Sequence, residues 1–171
     1  MKHEHARIIG IILCHQLDEA LAPVVAHPFL KTLDYNSPTA INAFCEELIA
    51  CNMRAMQILN ALWALAESHK NEADKSATCL FTWLCVYLRG GFVPPETLAQ
   101  LLPEKRDELS RIPAERSKRG RTSPGYALET SDDLGAWITE SVSYCATTLK
   151  QARELLDTLD LNDPTWRSRL L

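Results

Sequence analysis

Two apolar stripes at helical spacing run side by side between Ser37 and Ser68, and they constrain the fold more tightly than anything else in the sequence. Ile41, Phe44, Leu48, Cys51, Ala55, Ile58, Leu62 and Leu65 recur every three to four residues. Cys45, Ile49, Met56, Leu59, Trp63 and Ala66 lie beside them. A period of 3.6 puts both sets on one side of a helix, which the alternation of a strand cannot do. The combined face is broader than a two-stranded coiled-coil seam. Glu46, Glu47, Arg54, Gln57 and Asn60 fill much of the remaining circumference. Ser37 suits an N-cap, and Pro38 fits the first helical position, where a missing N–H is harmless. The pattern predicts a long amphipathic helix near 38–68.

A second helix is expected near 132–161. Leu134, Ile138, Val142, Cys145, Leu149, Ala152, Leu156 and Leu159 keep the same rhythm, and Asn162-Asp163-Pro164 ends it. Ser131 can cap it, with Asp132 and Asp133 at the positive end of its dipole. Between the two lies a segment from Ala77 to Leu88 that is apolar nearly all round. It has no strand candidate to pair with, so it reads as a buried central helix near 75–89, stopped by Gly90-Gly91. Its core residues are expected to be Leu80, Phe81, Trp83, Leu84 and Val86. A helix near 5–21 turns Ile8, Ile9, Ile12, Leu13, Leu17 and Leu21 inward, and Pro23 and Pro28 break it. Phe29, Leu30 and Leu33 suggest a short helical turn. Pro94-Pro95-Glu96 opens a helix near 95–110 with Leu98, Leu101 and Leu102 inside. The expectation is an all-α bundle of four to five principal helices with one largely buried central helix, in a single domain over 1–171.

Composition agrees with that architecture. The 171 residues are 46% hydrophobic and 23% charged, which suits one globular domain and excludes intrinsic disorder. Cys14, Cys45, Cys51, Cys79, Cys85 and Cys145 sit in apolar segments with no Cys-x-x-Cys and no zinc-finger spacing, so they read as reduced core residues of a cytoplasmic protein. The N-terminal apolar run is too short, and too far from Ala20-Leu21-Ala22, for a secretory signal. The longest apolar run, Cys79 to Leu88, is about half of a membrane helix, so no membrane partner is expected.

Charge is the one uneven feature. Net charge is −4, yet residues 105–121 alone carry seven basic and three acidic side chains. Arg111, Arg116, Lys118, Arg119 and Arg121 gather in a stretch with Pro113, Gly120, Pro124 and Gly125 and almost no apolar anchors, which reads as an exposed basic loop at about 113–130. Such a cluster binds phosphate, nucleic acid or an acidic partner face, or is only solvated. No aromatic is interleaved in it, which argues against base stacking. The acidic body argues against a nucleic-acid coat.

Catalytic and metal patterns are scarce. His3-Glu4-His5 pairs histidines at i, i+2, which do not share a helix face. Glu-x-x-His, His-Glu-x-x-His, Gly-x-Ser-x-Gly, Walker A and Gly-x-Gly-x-x-Gly are absent. Cys14 and His15 are adjacent, so their helical directions diverge by about 100°. Trp63, Trp83 and Trp137 fall on expected inward faces and read as core. The sequence therefore suggests a non-catalytic, cytoplasmic protein-interaction module, a regulator, adaptor or inhibitor acting through a helical face, with no cofactor and no metal. A homodimer or a stable protein partner would cover the broad face of helix 38–68. A nucleic-acid accessory protein acting through 111–121 is the alternative. An enzyme or cofactor binder with a site inside the bundle is a second alternative.

Overall fold

The computed structural model describes residues 1–32, 37–89 and 134–170, and only the backbone of 38, 41 and 134–141. Helix α1 spans His3–Val25, α2 Phe29–Thr32, α3 Pro38–His69, α4 Ser76–Arg89 and α5 Leu134–Thr158, followed by a 3-10 turn over Trp166–Arg169. No strand occurs among the described residues. The expected helix near 95–110 and the basic loop at 113–130 lie outside them.

The ends of these helices follow from local chemistry. Ser37 Oγ accepts from the Ala40 amide at 3.3 Å, so it caps α3 as its sequence suggests. Asp74 Oδ1 accepts from the Ser76 amide at 2.9 Å where α4 starts. At the end of α5 the last-turn carbonyls lack intrahelical donors, and two arginines supply them. Arg7 reaches Leu156 O at 3.1 Å, and Arg169 reaches Thr158 O at 3.0 Å. Helix α1 runs through Pro23 to Val25 rather than breaking before it. Pro23 is exposed, so the carbonyl it leaves unpaired one turn back is near water.

Helix α3 turns back on α4 through 70–75. Thr78 Oγ1 donates to Ala66 O at 3.4 Å and Cys85 Sγ to Leu59 O at 3.5 Å, which fixes an antiparallel register. Helix α1 runs antiparallel to α3 and to α5, and α4 antiparallel to α5, giving an up-down-up-down bundle. Most of both stripes is buried inside the chain, α1 covering one side and α4 the other, while Trp63 of the second stripe stays exposed.

Helices α1 and α4 touch across the bundle. Small residues permit it: Ala6, Gly10 and Cys14 form the buried edge of α1. A Cβ on Gly10 would lie 3.0 Å from Leu84 Cδ1 and 3.3 Å from Leu156 Cδ2, so three helices meet at that glycine. This close approach also corrects the rotation of α1. Ile8 and Ile12 were expected inside but are exposed, because bulky side chains at the contact would hold the helices apart.

Helix α4 has a rotation too. Leu80, Phe81, Leu84, Cys85 and Leu88 are buried, as expected for most of them, but Val86 is 63% exposed and Trp83 only half-buried. A four-helix arrangement leaves every helix one outward face, so α4 is apolar on the outside rather than wrapped on all sides. Trp63, also expected inward, is 42% exposed on α3. All six cysteines are free, and all but Cys79 are buried.

Candidate functional site: an aromatic groove between α4 and α5

The outward face of α4 begins the site. Trp83 and Tyr87, one turn apart, stack with ring centroids 5.0 Å apart and planes 13° from parallel. They point this way because Leu80, Phe81, Leu84 and Leu88 have taken the opposite side of the same helix. Helix α5 supplies the other wall. The Tyr87 hydroxyl donates to Gln151 Oε1 at 2.8 Å across the gap. Glu154, Leu155 and Thr158 continue that wall, one turn after another. Arg169 closes the end from the C-terminal 3-10 turn, its guanidinium held by Thr158 O and by Thr158 Oγ1 at 2.9 Å. These seven residues line an open-sided cavity of about 390 Å³.

Its polar groups are neutral inside and charged at the rim. Partial burial, and then the neighbouring Tyr144, push the Tyr87 hydroxyl up from its ordinary value, so it stays a neutral donor. With Gln151 Oε1 occupied, the amide nitrogen of Gln151 is the donor it offers. Glu154 Oε1 sits 3.8 Å from Lys150 Nζ on the exposed rim. The groove thus has a flat aromatic floor, a neutral donor in the Gln151 amide and a rim of both charge signs.

Nucleophiles are placed elsewhere. Burial pushes the Cys14 and Cys51 thiols up to about 12, and it raises Cys85 and Cys145 as well. A thiol so held is neutral and inert at neutral pH. Cys14 is buried while His15 is exposed and faces Glu19 at 3.5 Å, so the neighbours point apart as helical geometry requires. Among the described residues no three His, Cys, Asp or Glu side chains gather as a metal site.

Sequence reasoning singled out Arg111, Arg116, Lys118, Arg119 and Arg121, and all five lie outside the described residues. It placed Trp83 in the core, and it passed over Gln151, Glu154, Thr158 and Arg169. One signal was available for the first: an aromatic pair at i, i+4 on a helix whose opposite face is already filled by leucines. The rest come together only through the antiparallel pairing of α4 with α5. By length and hydropathy alone α1 and the stretch 42–69 could cross a membrane, although both carry core residues of the bundle.

Comparison with protein-family models, with curated proteins and with solved structures gives no match to this chain. Bundle architecture does not fix function either, so the functional reading rests on the site.

Proposed function

We propose that the chain is a non-catalytic protein-interaction module that takes an amphipathic helical segment of its partner into the α4/α5 groove. One observation carries this reading: Val86, Trp83 and Tyr87 put an apolar face on the outside of the bundle, rimmed by Gln151, Glu154, Thr158 and Arg169. Tryptophan, tyrosine and arginine are the residues whose truncation most often abolishes binding, because they bury large areas at little entropic cost. An open trough between two antiparallel helices is the shape into which a third helix lays its apolar side. Six free thiols favour a reducing compartment, in keeping with a cytoplasmic protein.

The charge pattern favours a second reading, contact with nucleic acid through Arg111, Arg116, Lys118, Arg119 and Arg121. One experiment separates the two. Val86→Arg puts a charge on an already exposed position next to Tyr87, so it interrupts the apolar outer face of α4 beside the groove without disturbing the core. A partner captured from nuclease-treated lysate by the wild-type chain is expected to be lost with Val86→Arg, by at least tenfold. It is expected to be retained when Arg116, Lys118, Arg119 and Arg121 are all alanine. The reverse pattern, with nucleic acid co-purifying and binding falling steeply with salt, would overturn the groove in favour of the basic cluster.

A further inference from the structure

At the end of the bundle where α1 begins, His3 joins three segments. Its Nε2 faces Asp74 Oδ2 in the α3–α4 connection, and its Nδ1 lies 3.0 Å from Asn162 Oδ1 in the turn after α5. Asn162 has little freedom to present its other end. Its Nδ2 donates to Asp160 Oδ1 at 3.0 Å, and a carboxylate accepts only, so the oxygen of Asn162 is the atom turned towards His3. Asp74 is committed as well, its second oxygen accepting from the Ser76 amide. Both ring nitrogens therefore face acceptors. A neutral imidazole carries one N–H and can satisfy one of them; the imidazolium satisfies both.

We infer that His3 is a proton-operated latch: protonated, it ties the start of α1 to the α3–α4 connection through Asp74 and to the turn after α5 through Asn162. Loss of a proton leaves the remaining N–H on Nε2, where the Asp74 charge holds it. The Nδ1 lone pair then faces the Asn162 oxygen, and that arm of the latch opens. The turn it releases leads within a few residues to Trp166 and Arg169. Other charged groups face the same corner. Asp160 lies beside Asn162, and Glu72 accepts from His69 Nδ1 at 2.7 Å and from the amino group of Met1. His5 and Glu4 follow on α1.

The direction of the effect is fixed by linkage. The hydrogen bond to Asp74 raises the His3 value, partial burial opposes it, and Asn162 and the charges of Asp74 and Asp160 add to the rise. A raised folded-state value contributes stability that is complete below about 6.5, the ordinary histidine value, and is lost as pH rises through the folded value. The Ser76 amide and hydroxyl, with His3 behind them, hold Asp74 well below the carboxylate range, so its contribution fails only in acid. The latch is thus closed below the ordinary histidine value and opens as pH rises through the higher folded-state value. This inference is independent of what the groove binds.

Imidazole nitrogen NMR on the full chain from pH 5 to 9 tests it, with His3 assigned by His3→Gln. We expect the His3 ring to titrate above about 6.5, and its midpoint to fall in Asp74→Asn, which keeps an oxygen for the Ser76 amide. The neutral ring is expected to carry its proton on Nε2. The thermal midpoint of the wild type is expected to fall between pH 6 and 8.5 more than that of His3→Gln. A His3 midpoint unmoved by Asp74→Asn, or equal thermal slopes in wild type and His3→Gln, would overturn the latch.

Discussion

Asn52 is the residue most at odds with its surroundings. It lies mid-helix on the buried side of α3, 2% exposed, and neither its amide nitrogen nor its oxygen has a hydrogen-bond partner among the described residues. Leaving such a group dry and unpaired costs about 1–3 kcal/mol, whereas an apolar side chain of similar size in the same place costs nothing of the kind. Asn52→Leu is therefore expected to raise unfolding free energy by about 1–2 kcal/mol in urea titration. A fall of comparable size would mean that the amide has a partner and serves specificity rather than being tolerated. The sequence offers no warning of this, since an asparagine at a stripe position reads equally well as a break in the pattern. The cysteines were easier to read, because a small apolar side chain between leucines has few places to go but inward.

At the scale of elements, ends were legible and rotations were not. Ser37 and Pro38 announce the start of α3, and Asn162 to Pro164 the end of α5, through chemistry that needs no tertiary partner. The rotation of α4 has no such local cause. A helix apolar on all sides offers no polar face to set its orientation, and packing decides it: Leu80, Phe81, Leu84 and Leu88 fit the interior, and Val86 is left outside. The same limit applied to α1, where hydrophobicity favours Ile8 and Ile12 but close approach selects Ala6 and Gly10. The rotation of α4 makes a direct prediction. Leu84→Ala is expected to destabilise by about 2–5 kcal/mol, through lost transfer energy and a cavity beside Gly10. Val86→Ala is expected to change stability by less than about 0.5 kcal/mol. Comparable losses at both positions would show that α4 is buried all round, and the groove would lose its floor.

The described residues form an up-down bundle whose groove is lined by Trp83, Tyr87, Gln151, Glu154, Leu155, Thr158 and Arg169, so no contiguous motif can spell it out. Periodicity and caps suffice for the class of fold because each helix buries its own stripe. A groove requires two helices, their register and the side chains that packing leaves outside, and only the folded chain supplies those. The basic cluster is the converse case, plain in the sequence as a charge pattern but outside the described residues. The measurement that bears most directly on the groove is hydroxyl-radical footprinting of the chain alone and in complex with its captured partner. Trp83, Tyr87 and Tyr144 are expected to lose most of their reactivity in the complex, while the exposed Trp63 on α3 keeps its own. Unchanged reactivity at Trp83 and Tyr87, with protection confined to other surfaces, would contradict the assignment of this groove as the docking site.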